Sequence, residues 1–452
     1  MAVREYGKEQ PFIPFGPFKI RLPLIHYRWE WPEALQALLM CATCLGAIPV
    51  LTEVLGVSFE IALTMVIING LLYNLHVLLG DPVVPGWITP AIPLTIAYLT
   101  QYPIGPERTQ ALIALQLLVG VFFLIMGITG LAQKLVSRVP DSIKAGILLG
   151  AGIAAIMGEL KPGGRFEQFP ITILVGGLLS FYLLFSAKFK KVRQKSRLMN
   201  NIAKYGMLPA ILIALILGPI VKELPVPQIK WEIFVPQFGG LIKEVTPFGI
   251  GFPGFNMFVA ALPMMFAAYI IAFGDFVTSK ALITEADVVR KDEKIDFNPD
   301  RSNLISGIRN LVQAFISPYT QLCGPLWAAV TAAVSERYKD GRDGMDSIYS
   351  GMGTFRIMTF VGVSLMPIVS LVRPALPIAL SLTLLVQGFV CTRIAMDMVK
   401  TNEQKGIAGV TGAVLAMKGA AWGLGLGIIM YLLIESGKTI AAKVDSEVSA
   451  GS

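Results

Sequence analysis

Charged side chains are scarce in this sequence of 452 residues. Lys, Arg, Asp and Glu make up 15% of the chain, against 54% hydrophobic residues, and the mean hydropathy is +0.65. This leaves too little polar side chain to cover a water-soluble globule of this size, so most of the surface must face lipid. The apolar runs are continuous rather than alternating, which favours membrane-spanning helices over a transmembrane β-barrel.

Histidine and cysteine are also rare. The two histidines, His26 and His76, have no Cys or acidic cluster beside them, so the sequence gives no basis for a metal site. The four cysteines lie in apolar stretches, which argues against a disulfide framework. They are Cys41, Cys44, Cys323 and Cys391. We interpret the Cys-x-x-Cys spacing of the first two as small packing residues on a helix, and we expect no cofactor.

Motifs of enzymes and of ATP-driven pumps are missing as well. The glycine-rich stretch 150–158 lies inside an apolar segment and lacks the Lys-Ser/Thr pair that binds nucleotide phosphates, so its small residues predict close helix packing. No acid pair, histidine cluster or nucleophile with an adjacent base is recognisable, and we expect no enzyme. The formal net charge of +8 comes from basic loops and implies no nucleic-acid partner.

Runs of about 20 apolar residues predict membrane crossings. They lie at 34–55, 57–80, 108–133, 141–158, 170–187, 203–222, 257–284, 347–369, 374–396 and 419–437. Segments that are shorter, or interrupted by Gly and Pro, lie at 87–102, 303–316, 323–336 and 405–418. The predicted fold class is therefore an all-α polytopic membrane protein with about 14 transmembrane segments.

The distribution of basic residues predicts the orientation. Residues 1–33 predict a cytoplasmic N-terminal arm, and an even number of crossings then places the basic loop 188–197 inside, as the positive-inside rule requires. The linker 223–256 falls outside, and the tail 438–452 falls inside. Because the linker separates two halves of about seven segments each, the halves have opposite orientations, which is the arrangement of a 7+7 inverted repeat.

The third segment of each half is short and opens on proline, at 83–99 and 317–334. Interrupted segments at matching positions indicate the binding site of a transporter, because broken helices point unpaired N–H groups at anionic or carbonyl-bearing solutes. The candidate substrate-binding residues there are Thr89, Pro90, Ala91, Gln321, Cys323, Gly324 and Pro325. Pro90 and Pro325 are expected in the first turn of each half-helix, the alternative being that they only kink a continuous helix.

Asp275 lies deep in the predicted crossing 257–284. A carboxylate inside the membrane costs so much free energy that it suggests a function. We predict that it binds substrate and couples transport to H⁺ or Na⁺, the alternative being a structural partner of a buried lysine or of backbone N–H groups. Arg309 is expected to face an acid, a substrate anion or the cytoplasmic edge. Glu53 and Asn69 are interpreted as helix-packing residues.

Three stretches resemble a known group of transporters: LVSRVPDSIKAGILLGAGIA (135–154), AFGDFVTSKALI (272–283) and RSNLISGIRNLVQAFISP (301–318). They are similar to segments of the fold shared by nucleobase–cation symporters of the uracil/xanthine permease type and by the SulP anion transporters. The resemblance implies a core domain that slides against a dimerising gate domain, an elevator-type mechanism, with substrate between the third and tenth segments.

The resemblance divides the chain accordingly. It implies a core domain of 34–134, 257–346 and 347–370, and a gate domain of 135–222 and 371–437. The expected protein is a homodimeric, ion-coupled symporter of a small planar or anionic solute, with a nucleobase (uracil, xanthine or a purine) favoured, in a bacterial inner or plasma membrane.

Two departures from the nucleobase branch keep other substrates open. Its eighth-helix acid would fall near Ile271, and the Gln-Asn-x-Gly-type motif of its tenth helix is missing. The alternatives are a SulP-like or carboxylate anion transporter, or an uncoupled anion channel.

Overall fold

The structure is a computed structural model that describes residues 4–435 except 197, 200, 201, 203, 204 and 206. The predicted tail 438–452 lies outside the described residues. The chain is predominantly helical, as a backbone in lipid must be in order to satisfy its own hydrogen bonds.

The helices of the first half are α1 (Trp31–Leu45), α2 (Ala47–Val50), α3 (Phe59–Leu72), α4 (Asn74–Leu78), α5 (Ile92–Leu99), α6 (Pro106–Thr129), α7 (Ala132–Arg138), α8 (Asp141–Leu160), α9 (Arg165–Gln168), α10 (Pro170–Phe185), α11 (Ala187–Lys195) and α12 (Leu208–Ile220). A π turn, Leu51–Leu55, continues α2, and a 3-10 turn, Thr89–Ala91, precedes α5. The predicted basic loop 188–197 is wrong as a loop, because most of it forms α11 after a 64° bend.

The second half follows with α13 (Phe238–Glu244), α14 (Pro247–Ile250), α15 (Phe255–Val289), α16 (Pro299–Ile316), α17 (Ala328–Tyr338), α18 (Ile348–Ser364), α19 (Met366–Val372), α20 (Leu376–Met398), α21 (Asn402–Lys418) and α22 (Ala420–Met430). A 3-10 turn, Arg373–Ala375, links α19 to α20, and a π turn, Tyr431–Glu435, follows α22. The predicted segment 303–316 starts too late. Its helix begins at Pro299, because the Asn298 side chain accepts from the N–H groups of Asp300 and Arg301.

Within the described residues, six helices are long and apolar enough to cross a membrane, and the bent pair α10 and α11 would make a seventh. The six are Trp31–Leu55, Phe59–Leu78, Pro106–Thr129, Asp141–Gln168, Phe255–Val289 and Met366–Met398. The protein is therefore a multi-pass membrane protein, while the count of fourteen crossings stays a prediction.

Glycine-lined faces allow the central helices to pack closely. A Cβ atom at Gly307 of α16 would lie 2.9 Å from the carbonyl oxygen of Gly120 in α6. Likewise, a Cβ atom at Gly150 of α8 would lie 2.9 Å from the carbonyl oxygen of Gly412 in α21. The close packing expected for 150–158 is thus observed, and it brings α6 against α16 and α8 against α21. The division into core and gate domains stays a prediction.

The N-terminal arm is ordered against the loop between α15 and α16. It contains an antiparallel hairpin of β1 (Ile13–Phe15) and β2 (Phe18–Ile20). Arg4 forms an ion pair with Asp292 at 2.8 Å, and Lys19 forms one with Asp296 at 2.7 Å. The arm is thus tied to the side of the molecule that also carries the α17–α18 loop.

Candidate functional site

The two broken segments meet in a short strand crossing. Strand β3 (Gly86–Trp87) pairs antiparallel with β4 (Cys323–Gly324). Ile88 N donates to Leu322 O at 2.9 Å, and Trp327 N donates to Val84 O at 2.6 Å. Helix α5 follows β3 and α17 follows β4, so neither segment is a continuous kinked helix.

Two glycines permit this crossing because the backbones approach too closely for a side chain. A Cβ atom at Gly86 would lie 2.6 Å from Leu326 O, and one at Gly324 would lie 2.7 Å from the carbonyl carbon of Trp87. Both contacts are with backbone atoms, which cannot rotate away as a flexible side chain can. Gly324, a predicted site residue, is therefore required by the geometry of the crossing.

Helix α16 supports the crossing with a row of polar side chains. The Arg309 guanidinium donates to Gly86 O at 2.7 Å and to Gly324 O at 3.3 Å, so it joins the two strands. The Asn310 side chain accepts from Cys323 N at 3.1 Å and donates to Cys323 O at 3.0 Å. Arg309 therefore binds backbone carbonyls rather than an acid, and it is fully buried rather than at an edge.

A second buried arginine lies nearby on α18. Arg356 is 0% exposed, and among the described residues no oxygen atom accepts a hydrogen bond from its guanidinium group, which lies beside the Cys44 thiol. Its Cζ atom lies 4.0 Å from the Tyr73 ring centroid, and Arg309 Cζ lies 4.7 Å from the same ring. Tyr73 thus contacts two buried cations, and neither cation forms a salt bridge within the described part of the chain.

Several buried N–H donors around the crossing also lack a partner among the residues described. They are Trp87 Nε1, Asn69 Nδ2, Gln116 Nε2 and Gln321 Nε2. The amide oxygens of the three amide side chains do have partners: Gln313 for Asn69, the N–H of Tyr319 for Gln116, and the Thr320 hydroxyl for Gln321. The free groups of these four side chains are therefore donors, and donors suit an anionic or carbonyl-bearing solute.

The structure brings most of the predicted substrate-binding residues to this crossing. Gln321, Cys323 and Gly324 are buried in or beside β4, and Thr89, Pro90 and Ala91 form the 3-10 turn before α5. The expectation that Pro325 lies in the first turn of a half-helix is wrong. It lies between β4 and α17, which begins three residues later at Ala328, because the extended backbone of the crossing occupies the place of the first turn.

Asp275 lies half-buried on α15, and among the described residues no hydrogen bond or ion pair joins it to the crossing. Helix α15 does pack against the 3-10 turn Thr89–Ala91 and against α17. Ile271, one turn earlier, is buried, and the resemblance places the acid of the nucleobase branch near it. The ion-coupling role of Asp275 stays a prediction. In the described part of the chain, no group of three His, Cys, Asp or Glu side chains could hold a metal ion.

Sequence reasoning missed Arg356. One charge within the predicted crossing 347–369 does not interrupt an apolar run, so the segment was interpreted as an ordinary span. The available signal was the residue type itself, because an arginine in the middle of a crossing needs a partner or a function.

No family model matches this chain, and no curated protein matches it. Its fold is similar to that of the murine Solute Carrier 26 family member A9 anion transporter in the inward-facing state, with a TM-score of 0.54 and 13% identity over 91% of this chain and 69% of the other. A second structure of SLC26A9 gives 0.52 and 13% identity over 89% and 65%. The transmembrane domain of the cyanobacterial bicarbonate transporter BicA gives 0.48 and 13% identity over 90% and 99%.

The two SLC26A9 matches show that the chain has the fold of these SulP-type transporters. The SulP side of the predicted resemblance is therefore confirmed at the level of the fold. The expected nucleobase permease identity finds no support in them.

Proposed function

We propose that this protein is a secondary transporter of a small anion, with its binding site at the crossing of β3 and β4. The observation that carries the proposal is the pair of buried guanidinium groups of Arg309 and Arg356, which have no carboxylate partner among the described residues. A buried charge costs several kcal/mol unless an opposite charge compensates it. A bound anion supplies that charge.

The anion binds between the starts of α5 and α17. Both helices begin at the crossing, so their N-terminal N–H groups add partial positive charge there. The side-chain donors of Trp87 and Gln321 provide hydrogen bonds, while the arginines act through the potential they create in a medium of low dielectric constant. This arrangement favours an oxyanion over a neutral solute.

A nucleobase is a less suitable solute for this site. A neutral base presents both donors and acceptors, and the nucleobase branch meets its donors with an acid on the eighth helix. In this chain the resemblance places that position near Ile271, an apolar residue. The fold similarity to an anion transporter supports the anion alternative as well. We take the alternative of a SulP-like or carboxylate anion transporter as the proposed function.

The proposed transport cycle moves the core domain, 34–134 with 257–370, against the gate domain, 135–222 with 371–437. The proposal includes a homodimer, cytoplasmic termini and coupling to H⁺ or Na⁺ through Asp275. Asp275 suits coupling because it is a half-buried carboxylate with no hydrogen bond or ion pair within the described chain, on a helix that contacts the 3-10 turn at the crossing.

Uptake into proteoliposomes tests the substrate class. We expect saturable uptake of one of bicarbonate, sulfate, chloride or formate, and none of uracil or xanthine. Arg356→Gln removes one buried charge and is expected to reduce anion uptake at least about tenfold, while the folded protein becomes no less stable because the lost charge had no carboxylate partner. Arg356→Lys keeps the charge and should keep part of the uptake.

Arg373→Gln is the matched control. Arg373 also lies over an aromatic ring, 3.7 Å from the Phe59 centroid, but it is exposed and distant in the chain from the crossing. Its loss should leave uptake unchanged. Saturable uptake of uracil or xanthine, or an Arg356→Gln protein that transports anions like the parent, would overturn the proposal.

The coupling role of Asp275 is tested in the same vesicles with imposed pH or sodium gradients. We expect Asp275→Asn to abolish gradient-driven accumulation while anion binding persists. A variant that transports as well as the parent, with the same pH and sodium dependence, would show that another group couples transport. Steady current without saturation would favour the uncoupled channel.

A further inference from the structure

A cavity of about 260 Å³ lies away from the strand crossing, at the end of the molecule that faces the linker 223–256. Arg108 lines the cavity near the start of α6. Two residues later, Gln110 donates to Ile250 O of the linker at 2.9 Å, so the cavity and the linker lie at the same end of the molecule. The cavity lies between the predicted core and gate domains, since residues of α5 and α6 form one wall and residues of α8 and α9 form the other. Its charged residues are Glu53, Arg108, Glu159, Lys161 and Arg165.

Arg165 binds two carboxylates across this cavity. Its Nη1 donates to Glu53 Oε2 at 2.7 Å, and its Nη2 donates to Glu159 Oε1 at 2.9 Å. Glu159 lies at the end of α8 and Arg165 at the start of α9, so that pair is local to the predicted gate domain. Glu53 belongs to the π turn after α2, in the predicted core domain. One guanidinium therefore joins the two domains.

The two ion pairs differ in how firmly they are held. The Glu159 side chain is 1% exposed, and its second oxygen also accepts a hydrogen bond from Ser381 on α20. The Glu53 side chain is 51% exposed, and Arg165 is its hydrogen-bond partner in the described chain. Arg165 is thus anchored on the gate side, and Glu53 is the partner that can leave.

We infer that Arg165 is a gate residue that closes the linker side of the transport pathway by holding Glu53. Opening this side requires the Arg165–Glu53 pair to break, while the Arg165–Glu159 pair persists. The inference rests on the proposed function, because only a protein that alternates between two openings needs such a contact.

The cavity also provides a way for the transported anion to open the gate. Its lining carries three cationic side chains against two carboxylates, a net charge of +1. Arg108 donates to the carbonyl oxygens of Val54 and Tyr102 only, so its charge is not neutralised by an acid in the described chain. A small anion that enters the cavity competes with Glu53 for the Arg165 guanidinium.

A cysteine introduced at position 155 reports the opening of the linker side. Ala155 lines the cavity and is 1% exposed, and Ala155→Cys is a small change. The four native cysteines are buried, so the chain without this substitution gives the background labelling. The measurement is the rate at which a membrane-impermeant maleimide, added on the linker side of oriented proteoliposomes, labels the Ala155→Cys protein.

Adding Glu53→Gln to the Ala155→Cys protein breaks only the pair between the domains. We expect labelling to accelerate about two- to fivefold, as suits a partly exposed ion pair. Glu53→Asp should give an intermediate rate. The matched control is Glu232→Gln, which removes a carboxylate from the exposed Lys230–Glu232 pair of the linker, where the charged atoms are 3.8 Å apart. It should leave the rate unchanged.

Raising the salt concentration on the Ala155→Cys protein gives a second measurement that needs no change at Glu53, because salt screens an exposed pair. Equal labelling rates with and without Glu53→Gln, together with no effect of salt, would overturn the inference. Accelerated labelling in a protein that takes up no anion would leave the gate in place and refute the anion function. Anion uptake with unchanged labelling would refute only the gate.

Discussion

Asp292 connects the N-terminal arm to the rest of the molecule through two arginines. It accepts hydrogen bonds from Arg290 and from Arg4, the latter at 2.8 Å. The Arg290 guanidinium, with Arg4 adding to it, lowers the pKa of the Asp292 carboxyl to about 2. The pKa of this carboxyl is therefore lower in the folded state than in the unfolded state, where it is about 3.9. Its contribution to stability is complete above about pH 3.9 and is lost as the pH falls toward 2.

We predict that Asp292→Asn lowers the free energy of unfolding by about 1–2 kcal/mol at neutral pH, since the side chain is only partly exposed. Between about pH 4 and pH 2, the melting temperature of the variant should fall less than that of the parent protein. Melting in detergent across this range measures both effects. Asp343→Asn, at an exposed position of the α17–α18 loop, is the control. An unchanged acid profile in Asp292→Asn would contradict the assignment.

Single residues differ in how well the sequence predicts them. Gln321, Cys323 and Gly324 were identified because they follow a proline-marked interruption of an apolar run. Arg356 was not, because hydropathy averages one charge over a whole span. Glu53 was interpreted as a packing residue, yet it forms an ion pair with a residue 112 positions away, which no local pattern reveals.

At the scale of elements, the crossing depends on two strands of two residues each. We predict that Gly86→Ala forces β3 and β4 apart, because the added Cβ atom would meet Leu326 O at 2.6 Å. The expected result is a loss of about 1–3 kcal/mol in stability, as for an overpacked core, and a loss of anion uptake. Melting and vesicle uptake measure the two.

Gly409→Ala on α21 controls for the substitution itself. An added Cβ atom at Gly409 meets nothing within 4 Å, so this variant should transport normally and gain up to about 1 kcal/mol from helix propensity. A Gly86→Ala protein that behaves like Gly409→Ala would show that the strands tolerate separation.

The elements were predictable where the hydropathy pattern changes. Proline and glycine in 83–99 and 317–334 predicted broken helices, and the structure has them broken. The contact between the two strands was not predictable, because a pair of residues is too short to show strand alternation. The start of α16 was also missed, since its first turn is polar and is defined by the Asn298 cap rather than by apolar residues.

At the scale of the whole molecule, binding of an anion should stabilise the folded protein by mass action. We predict that the transported oxyanion raises the melting temperature, with a gain of about 2.7 kcal/mol at a concentration of one hundred times its Kd. A thermal-shift panel of bicarbonate, sulfate, carboxylates and nucleobases measures this. Arg356→Gln should remove the shift, and Arg373→Gln should retain it. A shift with nucleobases alone would contradict the proposed site.

Composition was enough to predict a polytopic helical membrane protein, because the burial of apolar surface in lipid leaves little choice of architecture. The number of crossings was harder to predict. Several described helices, including α5 and α12, are too short to span a bilayer regularly, so length alone does not decide their path. The domain division depends on contacts between distant segments, which hydropathy does not contain.

The strand crossing also bears on the order in which the protein is made. Arg309 and the Gly86 carbonyl that it binds are 223 residues apart in the chain, so the crossing cannot form until α16 and β4 have been synthesised. Until then, β3 lies in the membrane without β4, the strand with which it pairs. Contacts of such long range form slowly. The anion site is therefore expected to form later than the helices of the first half.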